Sequence, residues 1–140
     1  MTTRPESRED RDMTTKRADW LAVAAGAIRF ASGVSFLVAP EAANRMWGDR
    51  EDSGPTASLL LRSMGYRDAL IGGLLLTSGV RSGAATPGWF LASAGADAAD
   101  LLGGIANHGR MSRQQQLRGL GGAAVGVTIG LVGAARARAR

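Results

Sequence analysis

Between Ala57 and Val80 the chain reads ASLLLRSMGYRDALIGGLLLTSGV. As a helix rising about 1.5 Å per residue, a stretch of this length crosses the ~30 Å hydrocarbon core of a bilayer. Its segment Leu70–Gly79 carries no charge, whereas a helix of a soluble bundle shows a polar stripe every three or four residues. Yet Arg62, Arg67 and Asp68 lie in the same stretch. Each charge near the bilayer centre costs about 2.5–3.5 kcal/mol on insertion scales, and the Leu and Ile residues return only about 4 kcal/mol in all. The segment therefore reads as a membrane helix that does not insert alone. Its charges need partners in a bundle or a watery cavity.

Outward from it, Trp20–Ala39, Trp89–Ala106 and Gly119–Ala135 share its character. The four runs make up 79 of 140 residues but hold only 6 of the 29 Asp, Glu, Lys and Arg side chains, so the mean hydropathy of −0.02 averages two populations. Pro40 closes the first run, and Pro55 and Pro87 precede the second and third, where a missing N–H costs least. Trp20, Trp47 and Trp89 fall at run edges, the place of an interfacial aromatic belt. The predicted fold is all-α: an integral membrane four-helix bundle of up-down topology over residues 19–136, with helices at about 20–39, 57–80, 89–106 and 119–135.

Residues 1–18 hold five basic and four acidic side chains and almost nothing apolar, which predicts a solvated, disordered tail. This tail is too long and too acidic for the start of a signal peptide, so the first run is expected to be an uncleaved anchor. Glu41–Trp47 is expected to form a short amphipathic turn on the surface, with Ala43, Met46 and Trp47 toward lipid. Counting Lys and Arg by side gives nine with the termini and five opposite. That places both termini in the cytoplasm of a multi-pass protein of the cell membrane.

The composition also excludes chemistry. The chain has no cysteine and one histidine, His108, which removes disulfides, thiolate metal sites and cysteine nucleophiles. His108 reads as an interfacial loop residue. No phosphate loop, nucleophile elbow, HExxH or dinucleotide fingerprint is present. No catalytic residue, metal or cofactor is expected, and no enzyme. The high pI, about 11.2, comes from basic clusters flanking apolar runs. They lack a nucleic-acid-binding motif, so no nucleic-acid partner is expected.

The charges inside the runs are Arg29, Arg62, Arg67, Asp68, Asp97 and Asp100. Arg29, the Arg67–Asp68 pair and Asp97 lie at the midpoints of the first three runs, hence at one depth, and are expected to meet. Arg62 and Asp100 are displaced about 10 and 4 Å toward the same side and are expected to pair, with Arg29 and Arg67 sharing Asp68 and Asp97. Such a network either fixes helix register at some cost in stability or marks a proton or solute pathway. Tyr66 and Thr128 read as packing residues.

Small residues are the packing device between membrane helices. Gly122, Gly126 and Gly130 form a doubled small-xxx-small ridge, expected to be the strongest. Gly65, Gly72 and Gly79 recur every seven residues, and Gly26 and Gly33 share that spacing. These faces serve either the monomer or a second copy.

Gly33–Gly48 reads GVSFLVAPEAANRMWG, Arg62–Gly72 reads RSMGYRDALIG and Ala96–Leu102 reads ADAADLL. On these segments the chain resembles a family of small four-helix actinobacterial integral membrane proteins of unknown function. In that family an Arg-x-x-Gly-x-Arg-Asp block opens the second helix and an Asp pair sits in the third. The resemblance covers about residues 20–135, implies the topology and leaves the activity open. The expected function is that of a non-enzymatic accessory or scaffolding protein, in contact with the lipid bilayer and with a partner membrane protein or a second copy. The alternative is a small proton-coupled transporter or channel using Asp68, Asp97 and Asp100.

Overall fold

The structure, a computed structural model, describes residues 18–47 and 54–140. The expected tail, Arg50 and the Trp47 side chain lie outside the described residues.

Asp19 opens helix α1 (Trp20–Val38) by accepting hydrogen bonds from the Leu21 and Ala22 amides at 3.2 and 3.3 Å, which satisfies two of the donors a helix start leaves unpaired. Pro40 begins the short α2 (Pro40–Trp47). Ala43 is buried there, not turned outward as its amphipathic reading implied. Pro40 and Ala43, three residues apart, together form the inward face, while Met46 is exposed. Pro55 stands at the first turn of α3 (Pro55–Val80). That helix ends in a Schellman turn, with Ser82 at a φ of 46° and the Gly83 amide donating to the Ser78 carbonyl, a position that ordinarily favours glycine. After α4 (Thr86–Asn107) and a single 3₁₀ turn (His108–Arg110), a Ser112–Gln115 capping box starts α5 (Arg113–Arg138). This last helix contains a π turn over Gln116–Leu120. It is much longer than the apolar run because the polar segment before Gly119 continues the same helix. The described residues are all-helical, with four long helices and one short one.

The long helices form two tight antiparallel pairs. In the α1–α3 pair, residue numbers in register add to 98. The Asp19 amide donates to the Gly79 carbonyl at 2.9 Å. A Cβ added at Gly26 would sit 2.8 Å from the Gly72 carbonyl oxygen, and one at Gly65 would sit 2.7 Å from that of Gly33. Glycine every seventh residue on both helices thus lets two backbones touch along a heptad seam. In the α4–α5 pair, Gly133 and Gly130 pack on Phe90, Gly126 on the Asp97 side chain, and Gly104 on Leu120. The ridge expected to be strongest is therefore split. Gly130 is buried, Gly126 faces a carboxylate, and Gly122 is exposed. A four-residue repeat stays on one face for only about two turns, whereas a seven-residue repeat follows a supercoil along its length.

Across the two pairs the side chains form layers. Ala22, Leu75, Phe90 and Ala134 make a closed apolar layer near the chain termini. About seven residues further along each helix, roughly 10 Å at the helical rise, come Arg29, Asp68, Asp97 and Gly126. The two pairs touch mainly between α3 and α4, and much less between α1 and α5.

Outside, the bundle is apolar. Ile28, Leu59, Leu70, Leu102, Leu131 and Val132 are among many large exposed hydrophobic residues. Two helices, α1 and α5, are long and apolar enough to cross a membrane by length and composition.

The seam gives a direct expectation. Gly72→Ala forces a Cβ onto the Phe30 amide and the Gly26 carbonyl, an overpacking that costs about 1–3 kcal/mol. Gly95→Ala meets open space and gains about 1 kcal/mol of helix propensity. Thermal unfolding in detergent should therefore lower the midpoint of the first variant and hold or raise that of the second.

Candidate functional site

The site grows from Arg29, midway along α1 and opposite both helices that carry carboxylates. Its NH1 donates to Asp97 Oδ1 and Oδ2, both at 2.8 Å, and to Ser93 Oγ at 2.9 Å. Its NH2 donates to Asp68 Oδ1 at 2.9 Å. The planar guanidinium fork is suited to such double duty, and it stays charged. Arg67 extends the chain. Its Nε reaches Asp68 Oδ1 at 3.1 Å, and its NH1 and NH2 grip Asp100 at 2.9 and 2.6 Å in a two-bond clasp. Burial falls along the row: the Arg29 and Asp97 side chains are 11% and 14% exposed, against 33% and 38% for Arg67 and Asp100.

Arg29, Asp68 and Asp97 therefore meet as their common depth implied. The Arg62–Asp100 pair does not form. Arg62 instead donates to the Leu37 carbonyl at 2.8 Å, one of the last carbonyls of α1 that its own helix leaves unpaired. Five residues separate Arg62 from Arg67, about 140° around the helix axis. Depth alone therefore could not say which arginine faces α4. Ser93 was missed by sequence reasoning, although its place four residues before Asp97 puts both on one helical face.

The row carries two guanidinium groups and three carboxylates, one negative charge in excess. Two atoms remain unused. Arg29 Nε is buried without a hydrogen-bond partner among the described residues, and no described residue donates to Asp68 Oδ2. Beside the row lies a cavity of about 480 Å³, within the size range of small-molecule sites. Arg29, Asp68, Asp97 and Asp100 line it, and Ile28, Phe36, Leu61, Met64 and Ile129 supply apolar wall. It extends from the charged layer away from the termini, toward Asn44 of α2 and Met111. There Arg118 ties α5 to the Met46 carbonyl at 2.8 Å. The opposite end is shut by the Ala22–Leu75–Phe90–Ala134 layer and by the Arg140–Asp19 ion pair at 3.2 Å. Gly122 lines the cavity and Gly126 bounds it beside Asp97, so the ridge makes room for the site. Tyr66 and Thr128 are exposed, outside the core positions expected for them. His108 is exposed, bonded locally to the Ile105 carbonyl, and no group able to hold a metal occurs among the described residues.

Arg29→Ala would strand the Asp97 carboxylate and leave Asp68 to Arg67 alone, and removing one partner of a buried pair costs about 3–5 kcal/mol. Arg62→Ala removes one exposed hydrogen bond, worth about 1 kcal/mol. Equilibrium unfolding in mixed micelles should rank them in that order, with Arg29→Lys between. Equal losses for Arg29→Ala and Arg62→Ala would show that Arg29 is not the hub.

No curated protein and no solved structure matches the chain. A family model described as a domain of unknown function (DUF4267) matches residues 26–133, a span that contains α1's glycines, all six charges and all of the cavity wall except Ala25. The chain belongs to this family of uncharacterised domains.

Proposed function

We propose that the four long helices span a bilayer as one bundle, with both termini on the same, cytoplasmic side, and that the protein binds a small solute in its central cavity without catalysing a reaction. The observation that carries this reading is the cavity itself, floored at mid-depth by Arg29, Asp68, Asp97 and Asp100. Ionisable groups are costly at that depth and mark solute or ion paths when they border space. The membrane setting rests on the exterior. Apart from Arg62 and Asp100, the exposed faces of the helices are largely apolar over their middle portions, while Arg45, Arg81, Arg110, Arg113, Arg136 and Arg138 stand at helix ends or between helices. The inside-out distribution of charge is that of a protein whose solvent is lipid.

Scaffolding through glycine faces has less to work with than the sequence implied. Gly26, Gly33, Gly65, Gly72, Gly79, Gly130 and Gly133 are buried within the chain's own helix pairs, and a glycine spent inside the monomer is not available to a partner.

The natural absence of cysteine makes single-cysteine variants clean probes. In sealed cells a membrane-impermeant maleimide should label Ser112→Cys but not Ala139→Cys until the membrane is opened. In vesicles, Ser32→Cys on the cavity wall should react with the same reagent, while Leu70→Cys on the outer face of α3 should not. Labelling of Leu70→Cys at the rate of Ser112→Cys would place that face in water and end the membrane reading.

A further inference from the structure

Resting on that reading of the cavity, we propose that its occupant is an amphiphilic monocation, a primary ammonium head on a hydrocarbon body, and that it reaches the site sideways from the bilayer between α1 and α5. Three independent observations converge.

The first is charge. Arg29, Arg67, Asp68, Asp97 and Asp100 form one connected set of ion pairs with one carboxylate more than it has guanidinium groups. Arg62 does not correct the balance, since its hydrogen bond goes to the Leu37 carbonyl at the far end of α1. An uncompensated charge in low dielectric is expensive, so the set is complete only with one further positive charge. An ammonium group has three N–H donors and no acceptor. Asp68 Oδ2, which takes no hydrogen bond from a described residue, and the part-exposed Asp100 carboxylate both border the cavity and can accept them.

The second is the wall. Beyond the charged floor the lining is mostly hydrocarbon, with Phe36, Leu61, Met64 and Leu120 among its members and Ser32 and Asn44 as its polar side chains. It matches an alkyl chain and offers an ion's hydration shell little.

The third is the opening. α1 and α5 are the neighbouring long helices that touch least. Ile28 on α1 and Val125 on α5 both line the cavity and are 73% and 58% exposed, so little protein covers the cavity wall where these helices meet. This thin side adjoins the exposed apolar residues of the two helices, where an amphiphile already dissolves.

The test uses the full chain carrying Ser32→Cys in nanodiscs of zwitterionic lipid, with a water-soluble maleimide as reporter and decylammonium as probe. Decylammonium at ten times its dissociation constant should slow labelling about ten-fold by occupancy. Decanol, decanoate and methylammonium should leave the rate unchanged. Adding Ile28→Trp and Val125→Trp should slow the onset of protection, and protection with an unaltered time course overturns the sideways route. Equal protection by decanol overturns the charge assignment, and protection by decanoate reverses its sign. Labelling that no compound slows ends the proposal while leaving a watery cavity in place, its missing charge then supplied by a proton. Failure of Ser32→Cys to label while Ser112→Cys reacts overturns the cavity reading beneath it.

Discussion

The Arg29 guanidinium bonds to both helix pairs at the middle of the bundle. Within each pair, glycine brings backbones into van der Waals contact, and the attraction is dispersion spread over many atoms. Between the pairs, α1 and α5 barely meet. In the bilayer setting proposed above, no hydrophobic force drives the halves together, because the alternative solvent is as apolar as the side chains. The strongest term available across that boundary is a charged fork with partners on both sides. Arg29 holds Asp68 within its own pair and Asp97 with Ser93 in the other. It clamps the midplane while leaving the space beyond it unfilled.

That space follows from residue size at successive levels. Where Phe90 and Leu75 stand, the interior is closed, and Gly130 and Gly133 exist to let Phe90 in. One layer on, Gly126 makes room for the Asp97 carboxylate, so a small residue serves the charge rather than another helix. Beyond the charges, Gly104, Gly119 and Gly122 line the opening, with Leu120 against Gly104 and Met111 against Gly119. The same device, glycine, thus closes one end and opens the other. What differs is the partner each glycine faces.

Much of this was legible in the sequence because two signals are one-dimensional. Depth along a helix is proportional to residue number, so the meeting of Arg29, Asp68 and Asp97 followed from run midpoints. The heptads Gly26–Gly33 and Gly65–Gly72–Gly79 carry their own register once the helices are antiparallel. What failed needed the angle around the helix. Arg62 and Arg67 lie within a turn and a half of each other, yet the first shares a side with Gly65 and caps α1, while the second clasps Asp100. Assigning them requires knowing which face of α3 meets α4, which depends on tertiary packing. Ser93 was within reach, since a residue four before Asp97 shares its face. The cavity was not legible, because it is a property of four helices at once and of the contact that α1 and α5 do not make.

The asymmetry between the two ends bears on how such a protein could work. The terminal end is held redundantly: by an apolar layer, by the Asp19 amide on the Gly79 carbonyl, by the Arg140–Asp19 pair and by the Ser78–Thr86 hydroxyl contact at 2.7 Å. At the other end, Arg118 of α5 reaches the Met46 carbonyl of α2 by one exposed hydrogen bond, individually weak, while Arg62 to the Leu37 carbonyl acts within the α1–α3 pair. A relative motion of the two pairs would therefore pivot near the termini and open or narrow the cavity at the loops. Arg29 sits between the pivot and the mouth, so any such motion must lengthen its bonds to Asp97 and Ser93 while sparing the one to Asp68 on its own pair. Arg29 therefore fixes the separation of the two pairs at the level where the cavity begins.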